Sequence, residues 1–131
     1  MKIKFLFFTL ILVFMFAVIF SACSWTTGGT DIIFPDENVS FMLHVQPFLA
    51  LNCAYSPCHA GFNPQGIPVL TEYHFVISTP GFIVSGNPDG SRFVQILEKR
   101  TPHFTNFYRG NIKDNHIQGI RTWIREGAIN N

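Results

Sequence analysis

The chain has 131 residues, nine Lys and Arg against eight Asp and Glu, and 47% hydrophobic residues, among them fifteen phenylalanines. That length holds one domain at most. A near-neutral charge with no basic block, no aromatic-basic interleaving and no phosphate-cradling glycine loop excludes nucleic acid as a partner, and no Ser/His/Asp order or carboxylate pair suggests a hydrolase.

Lys2 and Lys4 begin the chain and an almost unbroken apolar run follows from Phe5 to Phe20. The run is shorter than the roughly 20 residues of a spanning helix and ends in small residues before a cysteine, so it reads as a signal peptide. Phe20-Ser21-Ala22-Cys23 resembles a bacterial lipobox, with Phe20 in place of the usual leucine. Residues 1–22 are then expected to be removed and Cys23 to carry lipid, which anchors the chain outside the cytoplasmic membrane. An uncleaved anchor or an ordinary secretory signal are the alternatives, and all three export the domain. Loss of the leader leaves seven basic against eight acidic residues and lowers the mean hydropathy. Residues 23–36, with paired glycines, threonines and a proline, read as a tether, although Ile32, Ile33 and Phe34 could instead lie along the domain surface. The folded domain is expected over residues 37–131.

Ser40 can cap a helix from Phe41 to about Asn52, with Phe41, Val45, Phe48 and Leu49 on one side and Pro47 as a kink or a break into shorter turns. This helix delivers Cys53-Ala54-Tyr55-Ser56-Pro57-Cys58-His59. Two thiols followed directly by an imidazole can hold a haem through two thioether bonds while the histidine ligates the iron. The usual spacing has two residues between the cysteines and this one has four, a loop that can bulge outwards. A disulfide between Cys53 and Cys58, with His59 an ordinary surface histidine, is the plainer reading of the same residues. Lipid on Cys23 leaves an even pair, which either reading of Cys53 and Cys58 accommodates.

The middle, His59 to Gly86, is rich in Gly and Pro, with a short helical segment around Thr71 to Ile77. Asn87-Pro88 has a cap-then-proline signature for a helix carrying Phe93, Ile96 and Leu97. Asp114 opens the last helix, where Ile117, Ile120, Trp123 and Ile124 form the apolar side. Gly127 stops it, and Arg121, Arg125 and Glu126 are expected to face solvent.

Val45-Gln46-Pro47-Phe48-Leu49, the Cys53–His59 motif, Ser85-Gly86-Asn87-Pro88-Asp89-Gly90-Ser91 and the closing Ile120-Arg121-Thr122-Trp123-Ile124-Arg125-Glu126-Gly127-Ala128 occur in that order. Together they resemble the small cytochrome c domains of bacterial lipoproteins and of planctomycete-type multidomain proteins, over about residues 40–131. The resemblance implies an all-α, loop-rich cytochrome c-like fold around one covalent haem c. It assigns Cys53 and Cys58 to the thioethers and His59 to the proximal iron ligand. Phe48 and Trp123 suit contact with the haem where first and last helices cross, or serve as core alone. The second nitrogen of His59 needs an acceptor, for which the Asn63-Pro64 loop is a source.

Such domains commonly present a methionine ahead of the last helix, but here that region reads Thr101-Pro102-His103-Phe104-Thr105-Asn106 and the only methionines are Met1, Met15 and Met42. His103 is the expected distal ligand, with an open site and His44, His74 and His116 as competitors. Two histidines, or a five-coordinate iron, give a lower reduction potential than His/Met ligation. The expected function is one-electron transfer between membrane or periplasmic redox partners rather than an enzymatic reaction. A haem-based gas- or peroxide-binding protein with an open distal site, and a haem-free disulfide-stapled interaction lipoprotein, are the alternatives.

Overall fold

The computed structural model describes residues 31–54, 59–61, 69–103 and 112–131. The leader and the greater part of the tether, with Cys23, therefore lie outside the described residues.

Ser40 is extended and its Oγ accepts the Leu43 N–H at 3.2 Å, the expected cap. The proline seven positions on cannot donate, and its ring would crowd the carbonyl four residues earlier. The chain answers by widening before the proline: the Val45 N–H bonds to the Ser40 carbonyl and the Gln46 N–H to that of Phe41, each five residues back. A π-helical turn, Phe41–Val45, thus feeds directly into α1, Gln46–Asn52, with Pro47 in its first turn. The expected helix from Phe41 to Asn52 exists, with its irregularity placed upstream of Pro47. The Cys53 N–H, bonded to the Leu49 carbonyl at 2.8 Å, closes it.

The short second helix, α2, is Tyr73–Ser78. The third, α3, is Arg92–Leu97 and not a helix beginning at Asn87-Pro88. Asn87 does cap, but it caps a turn: its Oδ1 accepts the Gly90 N–H, and the Pro88 carbonyl accepts that of Ser91. Ser91 is fully buried, its Oγ accepting the Val84 N–H at 2.8 Å and donating to the Asn87 carbonyl at 2.9 Å. Those bonds pin Ser91 in an extended conformation, so helical geometry begins only after it.

The last helix, α4, is Asp114–Arg125. It ends where expected, with Gly127 at φ +104° and the Ala128 N–H returning to the Trp123 carbonyl. Its apolar side, Ile120, Trp123 and Ile124, packs in one core with Phe41, Val45, Phe48 and Leu49 of the first helical segment and Phe93, Val94 and Leu97 of α3. The Phe41 and Trp123 rings lie 5.7 Å apart, and the indole Nε1 donates to the Ile129 carbonyl. Core packing is the role in which Phe48 and Trp123 are seen. Among the described residues the architecture is helical, with no strand, and no helix is long and apolar enough to cross a membrane.

Residues 31–36, expected in the tether, belong to the compact unit Asp31–Asn131. Phe34 is 2% exposed, with its ring against Gly119, where an added Cβ would come within 2.1 Å of it. Its backbone is clasped by Asn115, which accepts the Phe34 N–H at 2.9 Å and donates to the Phe34 carbonyl at 3.0 Å. Further on, the Glu126 carboxylate accepts the N–H groups of Asn38 and Val39. Residues 31–39 therefore run beside α4 from its beginning to its end, so Glu126 holds backbone as well as facing solvent. Arg121 is likewise not a solvated charge: 19% exposed, it reaches Asp89 and Glu98 at 2.8 Å each. Arg125 is exposed as expected.

Candidate functional site

Cys53 stands buried at the end of α1, its sulfur brought inwards because Leu49 and Phe48 of the preceding turn lie in the core. Cys58 and the Asn63-Pro64 loop lie outside the described residues, so the pairing of Cys53 is read from sequence alone. His59 follows, half-buried, and its carbonyl accepts the Leu70 N–H at 3.2 Å, which holds the chain beyond the motif against the start of the α2 region.

His103 is half-buried six residues beyond the end of α3. Its imidazole faces that of His59, with ring centroids 6.0 Å apart and planes inclined by 19°. The two residues are 44 positions apart in sequence, so tertiary folding and not local spacing brings them together. Two imidazoles bound to one metal ion from opposite sides have centroids about this far apart, given two bonds of about 2 Å and the half-width of each ring, but with ring nitrogens rather than ring faces turned to the metal, whereas these rings are stacked. The same distance also lies within the roughly 4.5–7 Å of direct ring pairing. Burial, then the neighbouring His59 and Arg92, hold the His103 imidazole below the usual histidine range. At neutral pH His103 is therefore in the neutral form, which has a lone pair to give.

The competing histidines are engaged otherwise. His44 Nδ1 accepts the Ser40 N–H at 3.0 Å, within the cap that starts the first helical segment. His116 is 3% exposed and its Nδ1 accepts the Lys113 N–H at 3.1 Å, which puts the ring proton on Nε2, facing Asp31 Oδ1 at 3.2 Å. Its ring also packs on Phe48, with centroids 5.1 Å apart. Both are local capping histidines, and their spacing from Ser40 and Lys113 is the sequence signal that marks them. His74 is exposed beside Phe75. Arg92, at the first position of α3, is the charged residue near His103 that sequence spacing did not single out.

Among the described residues no group of three or more His, Cys, Asp or Glu side chains forms a ready metal cage. The donor types suit a haem: two imidazoles whose rings lie close together and a buried cysteine six residues before one of them. Comparison with protein-family models, curated proteins and solved structures gives no match.

Proposed function

We propose that the chain is an exported, lipid-anchored monohaem c-type cytochrome that carries single electrons between membrane or periplasmic redox proteins. Cys53 and Cys58 would hold the haem c covalently, His59 and His103 would ligate its iron, and Cys23 would carry the lipid. The observation that supports this most is that the fold brings the His59 and His103 rings together, 6.0 Å between centroids and 19° between planes. The bound group supplies one-electron exchange between ferric and ferrous iron. The protein's part is to present the two imidazoles and to lower the potential by offering a second histidine in place of methionine. No proton transfer or bond cleavage is asked of any side chain.

The test uses protein expressed with a c-type maturation system. Haem should stay with the polypeptide after denaturation, and Cys53→Ser with Cys58→Ser should abolish that retention. The oxidised protein should be low-spin, with the well-resolved rhombic paramagnetic resonance signal of near-parallel imidazole planes. His103→Ala should convert it to high-spin iron that binds carbon monoxide when reduced. An unchanged low-spin signal in that variant would show that the two rings merely pair, and a wild type that takes up no haem removes the whole reading.

A further inference from the structure

We propose that the uncharged first helical segment and the stretches pinned beside it form a face that rests in the lipid-water interface of the membrane to which the chain is tethered. This rests on the reading of Cys23 as the lipid-bearing residue. From Phe41 to Asn52 there is no Lys, Arg, Asp or Glu. The inward side chains Phe41, Val45, Phe48 and Leu49 are buried, yet the outward Met42 and Leu43 are also apolar, 61% and 72% exposed. A helix that is apolar on both sides ordinarily has something to cover both.

Two further exposed apolar side chains lie on stretches tied to the same turn. Ile33, 78% exposed, precedes Phe34, whose ring meets that of His44 at 6.0 Å. Ile129, 50% exposed, belongs to the tail whose Asn131 accepts the N–H groups of Phe41 and Met42 and the hydroxyl of Ser40. Single exposed apolar residues need no explanation. These four occupy three stretches joined at one helical turn.

Tether length selects the occupant. The chain from Cys23 to Asp31 reaches at most about 29 Å when fully extended, less than the width of roughly 34 Å expected for a domain of this size. Ile33 stands two positions beyond that tether, so this is the end of the domain that the lipid keeps near the bilayer. Asp31, Asp36, Glu37 and Glu126 flank the same stretches, which rules against attraction to anionic headgroups. The contact is apolar insertion at the headgroup–acyl boundary, and zwitterionic lipid suffices.

Protein purified from membranes is reconstituted into phosphatidylcholine vesicles with a trace of phospholipid bearing a diazirine on its acyl chain, irradiated and mapped by peptide mass. Label is expected on Ile33, Met42 and Leu43 about fivefold above that on the exposed Phe75, and Met42→Ser with Leu43→Asp should reduce label over residues 31–44 by a similar factor. Both substituted side chains are exposed, so helicity measured by circular dichroism should not change. If Cys23 carries no lipid, the chain from Ser24 with six histidines in place of the leader is held on the same vesicles by nickel-chelating lipid, and the face is read independently of Cys23. Label confined to residues 23–30, or spread evenly over exposed positions, overturns the proposal. So does a solution dimer that protects Met42 and Leu43 while the vesicles leave them unlabelled, which assigns the face to a second copy.

Discussion

Ser91 carries no charge and no chemistry, yet its hydroxyl decides where α3 begins. It is buried, satisfies the part-buried Val84 N–H and donates to the Asn87 carbonyl, so alanine leaves that N–H without its acceptor. Ser91→Ala should cost about 1–3 kcal/mol, read from urea unfolding, while Ser91→Thr keeps the bond but adds a methyl to a filled site. A loss near zero for the alanine variant would mean that another group takes the Val84 N–H. Asp31 makes a different case, because it is exposed and its partners are the Lys113 ammonium and His116 Nε2. The hydrogen bond from Lys113, opposed in part by desolvation and aided by the charge of Lys113 and by His116, lowers its pKa. The folded value is below the unfolded one, so the contribution is fully present above about pH 3.9 and is lost as pH falls through the folded value. Asp31→Asn should accordingly be less stable than wild type near neutral pH by a small, salt-sensitive margin, and the two denaturation midpoints should converge as acid is added. A difference that persists at the lowest pH would place the effect elsewhere than the charge.

At the scale of elements, α4 is held in place by the segment that runs beside it, and Gly119 is where the two come closest. A methyl at that position would stand 2.1 Å from the Phe34 ring, inside any real contact, so Gly119→Ala should push Phe34 out of its seat. Helix propensity favours the alanine by about 1 kcal/mol, and overpacking costs about 1–3 kcal/mol, so net destabilisation is expected. Phe34→Gly in the same chain, which removes the Cβ at 2.3 Å as well as the ring, should make Gly119→Ala neutral or stabilising, and a double-mutant cycle on thermal unfolding checks it. Sequence pattern was enough to find the helical segments: the Ser40 cap, the apolar side of α4 and the Gly127 stop are all set by neighbours a few residues away. It failed where a local signal had two structural uses. Asn87-Pro88 satisfies its cap within a turn, and Arg121 and Glu126 look like solvated charges until distant chain supplies Asp89, Glu98 and the Asn38 and Val39 amides. The candidate site divides in the same way. His103 is singled out by its place in the chain, whereas its ring pairing with His59 joins residues 44 positions apart, which no periodicity encodes.

Across the whole molecule, the domain begins earlier than its composition suggests, and that has a direct consequence for what can be removed. Residues 31–39 are bound to the beginning of α4 through Asn115, His116 and Lys113 and to its end through Glu126. Between those clasps Phe34 enters the core against Gly119 and the rings of Phe48, His44 and His116. A chain from Asp31 to Asn131 retains all of these contacts, whereas one from Glu37 loses Phe34, the Asn115 clasp and the Asp31 pairs while keeping the Glu126 bonds. Deleting a buried phenylalanine side chain costs about 3–5 kcal/mol, and a domain of this size has a total stability of about 5–15 kcal/mol. The shorter chain should therefore be marginal, with a broad or absent thermal transition, while the longer one unfolds cooperatively. Phe34→Ala in the longer chain should reproduce most of the loss without shortening anything, which separates the buried ring from the clasps around it. If the two truncations unfold alike, residues 31–36 are an attached tether after all, and the core does not depend on Phe34.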